Sequence, residues 1–328
     1  MTTGINRGRR LATAACAAAP LVAGAVLSRR VRAALIGPAG LGDGRVEGGA
    51  GRSFPRKLYG PTGEGSLLSR PPCRIVSTYL GADEILAALV SPERVVGVSS
   101  FADDPAISSC AWVYPRGVPR LRTEAETIVA LEPDLVCVAG FSDPDALRLI
   151  VGAGLPVLRW SRFDTFADIL ANVRLIGAAV GADLRAAAIA SAVESALGDL
   201  TSRLAGVRPV PVLYFDPPSF TVGSHTLIDE ILTRAGGANV AARAGIAGPG
   251  QLGIESVLGL DPEAIVVPRY GAGEPPIETL RRTPLWRDVP AVRAGRVFEV
   301  PGAFMGDVSH HAVEAIAGVA RLLHPEAF

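Results

Sequence analysis

Two of this chain's carboxylates stand in matched settings. The run Glu126-Thr-Ile-Val-Ala-Leu-Glu-Pro-Asp-Leu-Val-Cys-Val138 corresponds, class by class, to Glu255-Ser-Val-Leu-Gly-Leu-Asp-Pro-Glu-Ala-Ile-Val-Val267, 129 residues later (126 to 255). Each copy opens with a glutamate on a short helix, reaches a proline that stops the helix, and enters an apolar strand. A glutamate in a first turn can complement the helix dipole or pair with an external cation. At the first site Thr123 and Glu126 also have the spacing of a capping box. At the second, Leu252 stands where the capping hydroxyl would be, so capping does not explain Glu255.

Other chemistry is sparse. The four histidines, His225, His310, His311 and His324, offer no chelating pair, because His310 and His311 would point about 100° apart on a helix. A closed zinc site is therefore not expected. There is no Gly-x-Ser-x-Gly elbow, no His-Glu-x-x-His and no Cys–His pair at a known spacing. Lys57 is the only lysine, and the chain lacks the Gly-Lys-Ser/Thr run of a phosphate-binding loop. Lys plus Arg balance Asp plus Glu at 32 each, so no global field favours nucleic acid or an anionic membrane.

The elements that position these groups follow from hydropathy. Short apolar runs at 75–78, 95–98, 135–139 and 157–160 alternate with helical stretches at 82–89, 123–131 and 145–152. A second set of strands at 210–215, 220–222, 264–267 and 297–300 alternates with helices at 227–235, 254–260 and 310–323. Strands apolar on both faces, alternating with helices, make a parallel sheet covered by helices. Between the sets, Phe166, Ile169, Leu170, Val173 and Ile176 keep a 3.6-residue period. A second helical run of about 22 residues, or roughly 33 Å, follows Gly181. The expected fold is thus α/β: two parallel-sheet lobes joined by one long interdomain helix, with a ligand cleft between them.

Residues 1–33 read as an export signal. Arg7, Arg9 and Arg10 precede an uncharged run over 11–27, with Ala23-Gly24-Ala25 as a cleavage site. Arg29, Arg30 and Arg32 keep an uncleaved anchor open as the alternative. Residues 34–72 read as a flexible linker, 73–162 as the first lobe, 163–207 as the helical segment and 208–328 as the second lobe. Cys137 lies in an apolar strand pattern, and a Cys73–Cys110 bridge has no support beyond the presence of both thiols.

The ordered set Arg74-Ile-Val-Ser77, Ala82-Asp-Glu-Ile-Leu-Ala-Ala-Leu89, Val95-Val-Gly-Val98, Ile128-Val-Ala-Leu-Glu-Pro-Asp-Leu135 and Gly154-Leu-Pro-Val157 continues in the second half. There it runs through Thr221-Val-Gly-Ser224, Leu227-Ile-Asp-Glu-Ile-Leu232, Ala235-Gly-Gly-Ala-Asn-Val240 and Leu260-Asp-Pro-Glu263. Over roughly residues 73–328 the chain resembles the helical-backbone, or class III, substrate-binding proteins of ABC transporters, which capture iron–siderophore, haem or cobalamin. The resemblance implies a monomeric periplasmic protein, with retention at the membrane by its N-terminal segment as the alternative to cleavage. It also implies that Glu126 and Glu255 dock on the arginines of a membrane permease.

Ligands of open α/β sheets bind beyond the carboxyl ends of the strands. Those positions carry Tyr79, Phe101, Asp103, Phe141, Trp160 and Arg162 in the first half, and Asp216, Phe220, Arg269, Tyr270, Phe304 and His310 in the second. Aromatic residues are only 5% of the chain, yet several fall at strand ends, where flat faces suit a macrocycle or chelate. Trp160, directly after an apolar strand, is expected to face the ligand. Arg120, Arg122, Arg162 and Arg269 are the groups that would hold an anionic siderophore or haem propionates. No catalytic group, resident cofactor or protein-bound metal is expected; iron or cobalt would belong to the cargo. The alternatives are a metal-dependent enzyme using the same cleft, or a membrane-tethered sensor.

Overall fold

A computed structural model describes residues 42–48, 53–122 and 124–328. The proposed export signal and anchor lie outside these residues, as does Thr123 of the capping-box pattern. Among the described residues no helix is long and apolar enough to cross a membrane.

Strand–helix alternation builds two parallel sheets. The first lobe runs β4 (Ile75–Ser77), α1 (Leu80–Leu89), β5 (Val95–Ser99), β6 (Arg120–Leu121), α2 (Ala125–Ala130), β7 (Leu135–Ala139), α3 (Pro144–Gly152) and β8 (Val157–Trp160). Its strand order is β6-β5-β4-β7-β8, parallel throughout. Every residue of β4, β7 and β8 is buried, as the two-sided apolar pattern requires. In the second lobe, β9 (Val210–Tyr214), β11 (Gly237–Asn239), β13 (Ala264–Arg269) and β14 (Val297–Pro301) form a parallel sheet in the order β11-β9-β13-β14. A hairpin-like pair, β10 (Phe220–Val222) and β12 (Pro249–Gln251), lies beside it.

Two helices join the lobes. α4 (Phe166–Val180) starts at Thr165, whose hydroxyl accepts from Asp168 N–H, and ends at Gly181, left-handed at φ 75°. α5 (Asp183–Arg203) follows at once. At 21 residues it is about 31 Å long and is the long helix expected between the halves. α4 doubles it. Its first turns put Phe166, Ile169 and Leu170 into the second lobe's core, whereas Val173, Ile176 and Ala179 lie in the first lobe's core. α5 makes the return crossing, with Ala186 in the first core and Ala190, Val193, Leu197 and Leu200 in the second. The connector is therefore an antiparallel helical hairpin. At its closest approach, a β-carbon on Gly177 would come within 2.4 Å of the Ala186 methyl. Replacing Gly181 by alanine is expected to destabilise the protein by at least about 1–2 kcal/mol, the cost of a left-handed L-residue, because the Phe54 ring also occupies the space of a new β-carbon. Thermal unfolding measures it.

The expected linker is not one where it is described. β1 (Arg45–Glu47), β2 (Arg56–Tyr59) and β3 (Gly65–Leu68) form an antiparallel sheet. Leu58 and Leu68 join the first lobe's core. Arg56, 1% exposed, reaches the bend of the hairpin: its guanidinium donates to both oxygens of Asp183 at 3.0 and 2.8 Å, and to the Ala178 carbonyl. Arg159 at the end of β8 holds the same segment through Asp43 and the Gly42 carbonyl. Gly- and Pro-rich composition hid this sheet, whose strands are only three or four residues long.

Cys137 is buried in β7, while Cys73 (exposed) and Cys110 (buried) are free thiols rather than a bridge.

Candidate ligand site between the lobes

Parallel strands deliver their carboxyl ends to one edge of each sheet. In the first lobe that edge gathers three aromatic rings around Tyr79, just past β4. Phe141, past β7, stands edge-on to Tyr79 at 5.1 Å between ring centres. Phe163 lies 6.1 Å and Trp160 6.4 Å from it, and Phe141 and Phe163 are 6.0 Å apart. Edge-to-face geometry at these distances is the favoured aromatic arrangement. Phe141 is 39% exposed, whereas Trp160 is only 3% exposed. Trp160 is thus the floor under Tyr79 and not the ligand-facing ring the sequence suggested, because its strand is buried on both faces. Burial raises the Tyr79 phenol above its ordinary pKa, and Glu84, Asp307 and Asp164 add to that.

Most charged groups expected at the cleft are already engaged. Asp103 takes two hydrogen bonds from Arg120, at 2.9 and 2.8 Å, and Arg120 also bonds the Pro115 and Tyr114 carbonyls. This pair ties down the 100–120 loop. Arg162 meets Asp168 at 3.1 Å. Arg269, ending β13, meets Glu299 in β14 at 3.1 Å.

In the second lobe, burial lifts the carboxyl of Asp216, just past β9, to about 6. The backbone of Asp216 pairs with Phe220 in both directions, and Phe220 packs against the lobe's core, as does Phe304. Tyr270 hydrogen-bonds the buried Tyr214, and burial, then Asp216, pushes it up to about 12. Its ring lies over Gly302, where a β-carbon would come within 2.2 Å of ring carbons. His310 and His311 do not diverge as on a helix; they precede helix 312–323, and their rings stack at 4.2 Å. Burial, then the neighbouring His311, pushes His310 down to about 4, so it is neutral at physiological pH. Among the described residues no cluster of His, Cys, Asp or Glu is arranged to hold a metal ion.

The lobes meet at the start of α1. Val308 packs where a β-carbon of Gly81 would sit, at 2.8 Å. Ser109 of the first lobe donates to Asp307 of the second at 2.9 Å. Glu84 joins this contact, 1% exposed beside Asp307. Glu84, Asp307 and Phe163 were missed as site residues; the acidic pair Asp83-Glu84, one turn into a helix whose other residues are apolar, was the available signal for Glu84.

Glu126 and Glu255 occupy equivalent places, each the second residue of a short helix. The caps are Glu124 and Gly253, neither making a side-chain cap. Glu126 is thus one position short of a capping-box glutamate. Both are exposed, and among the described residues neither carboxylate takes part in an ion pair.

Comparison with known proteins agrees with this architecture. Over 290 residues the chain is 25% identical to an uncharacterized ABC transporter substrate-binding lipoprotein of Bacillus subtilis, covering 84% of this chain and 87% of that one. A cobalamin-binding protein of Halobacterium salinarum is 27% identical over 218 residues, 65% of this chain and 58% of its own length. Among solved structures, a periplasmic heme-binding protein from Roseiflexus sp. RS-1 superposes with a TM-score of 0.67 at 26% identity, over 78% of this chain and 99% of that one. The periplasmic vitamin B12 binding protein of Vibrio cholerae gives 0.63 at 21% identity, over 78% and 98%, and so speaks to the fold alone. The family described as periplasmic binding protein matches residues 75–303. That span runs from the first strand of one sheet past the last strand of the other, and the chain therefore belongs to the periplasmic binding protein family.

Proposed function

We propose that this protein is the extracytoplasmic substrate-binding component of an ABC importer, that it captures a corrinoid-type metal chelate between its lobes, and that it delivers this cargo to a membrane permease without chemistry. The lobes are assigned to residues 73–162 and 208–328, with 163–207 as the connector, and the protein acts as a monomer. The observation that carries the reading is the aromatic group Tyr79, Phe141 and Phe163 at one strand-end edge, which suits a flat macrocycle. The cargo's charge follows from the ion pairs. Three of the four arginines expected to grip an anion already face Asp103, Asp168 and Glu299, and freeing one would leave its carboxylate unpaired. A tricatecholate or a dicarboxylate macrocycle therefore finds less cation than a ligand of low net charge such as a corrinoid. The relatives named for cobalamin and for haem support the class of cargo.

Fluorescence titration with a cobalamin, haemin and a ferric catecholate tests this. Cobalamin should bind at least tenfold more tightly than the catecholate; the reverse order sinks the corrinoid reading, and no binding of any chelate sinks the whole assignment. Phe141→Ala should weaken the preferred ligand by about two- to tenfold, the range of one aromatic contact, measured in the same titration.

A further inference from the structure

We infer that Glu84 and Asp307 form a proton-sharing latch between the lobes, closed by one proton and opened by its loss. The latch regulates the proposed cleft and in that sense rests on the binding-protein reading.

The geometry is specific. Glu84 sits on α1 of the first lobe and Asp307 on the segment before helix 312–323 of the second, at 1% and 4% exposure. Donors from Ser109 and Ser309 surround the pair, with the Ser309 hydroxyl beside Glu84. Ser109 N–H reaches Glu84 Oε1 at 2.8 Å, Ser109 hydroxyl reaches Asp307 Oδ2 at 2.9 Å, and Ser309 N–H reaches Asp307 Oδ1 at 2.6 Å. Glu84 Oε2 is left buried without a donor, although the Asp307 carboxyl lies within bonding reach of Glu84. Two ionised carboxylates cannot satisfy each other; a carboxylic acid donating to a carboxylate can. One proton therefore removes both the orphan acceptor and the repulsion.

The surroundings supply no alternative counter-charge. The groups facing the pair from the first lobe are Tyr79, Cys110 and, beside Glu84, Tyr114, all acids. From the second comes His310, which burial holds neutral, with His311 beside it. Burial, then Asp307, raises Glu84 well above the usual carboxylate range. The sign follows. Parting the lobes hydrates Glu84 and returns it towards about 4, so the closed form holds the extra proton. The latch contributes fully below that ordinary value and fades as pH rises through the raised one.

Infrared spectroscopy of the ligand-free protein tests the latch. At near-neutral pH the wild type should show the C=O band of a buried carboxylic acid, and that band should disappear in both Glu84→Gln and Asp307→Asn, where an amide replaces the donor. Asp83, which burial raises to about 7, is identified separately through Asp83→Asn. The wild-type melting temperature should fall as pH rises above neutral, and the Glu84→Gln profile should be flatter. A band that survives both amide variants, no band in the wild type, or parallel melting profiles would overturn the inference. None of these measurements needs a chelate, so failure of the ligand assignment would show only in the titration described above.

Discussion

Exchanging Glu126 and Glu255 together for alanine is expected to abolish uptake into cells while leaving chelate affinity within about twofold. The second half of that expectation is the informative one. Both carboxylates are exposed at the second position of a short helix, one per lobe, and surface groups remote from a site usually act independently of it. An exposed carboxylate that meets an arginine on a partner contributes orientation and salt-sensitive association more than affinity. Two such pegs fix both position and rotation of the docked protein, so each single variant should retain partial uptake that falls further at high ionic strength. Transport of labelled ligand, run beside equilibrium binding to the purified variants, separates the two roles. A parallel loss of binding would place these carboxylates in the pocket or the fold.

The largest effect on stability is expected from Asp183→Ala, about 3 kcal/mol, the low end for breaking a buried ion pair because the Asp183 side chain is 31% exposed. The loss arises less from the missing attraction than from Arg56, left charged at 1% exposure with the Ala178 carbonyl as a remaining partner. Replacing both by apolar residues, Arg56→Met with Asp183→Leu, should recover most of it, since the pair's desolvation offsets much of its Coulomb gain. Chemical denaturation of the three proteins gives the comparison. A double variant as unstable as the single one would show that the pair's hydrogen-bond geometry, and not its charge balance, holds the N-terminal sheet to the helical bend.

The architecture was legible because it rests on local pattern. Apolar runs such as Leu135–Ala139, punctuated by prolines and glycines, spell parallel strands, and the parallel arrangement itself fixes which residues reach the cleft edge. Tyr79 and Phe141 at that edge were therefore legible from position alone. What failed depended on partners distant in sequence. Nothing near Asp103 announces that Arg120 will neutralise it, and nothing near residue 56 marks it as the one arginine buried against Asp183. Trp160 misled because a ring at a strand end can point into the lobe as readily as out of it. The Glu84–Asp307 contact brings together residues from opposite lobes, and no spacing rule connects them.

The helical hairpin that enters both hydrophobic interiors has a consequence for how this chain comes to exist. Neither half can complete its interior without limbs that the other half also needs: Phe166 and Val173 serve different interiors from a single helix, and so do Ala186 and Leu197. Folding should accordingly be one cooperative event, and a gene split anywhere between codons 163 and 207 should give two fragments that are insoluble apart and recover structure only when co-expressed.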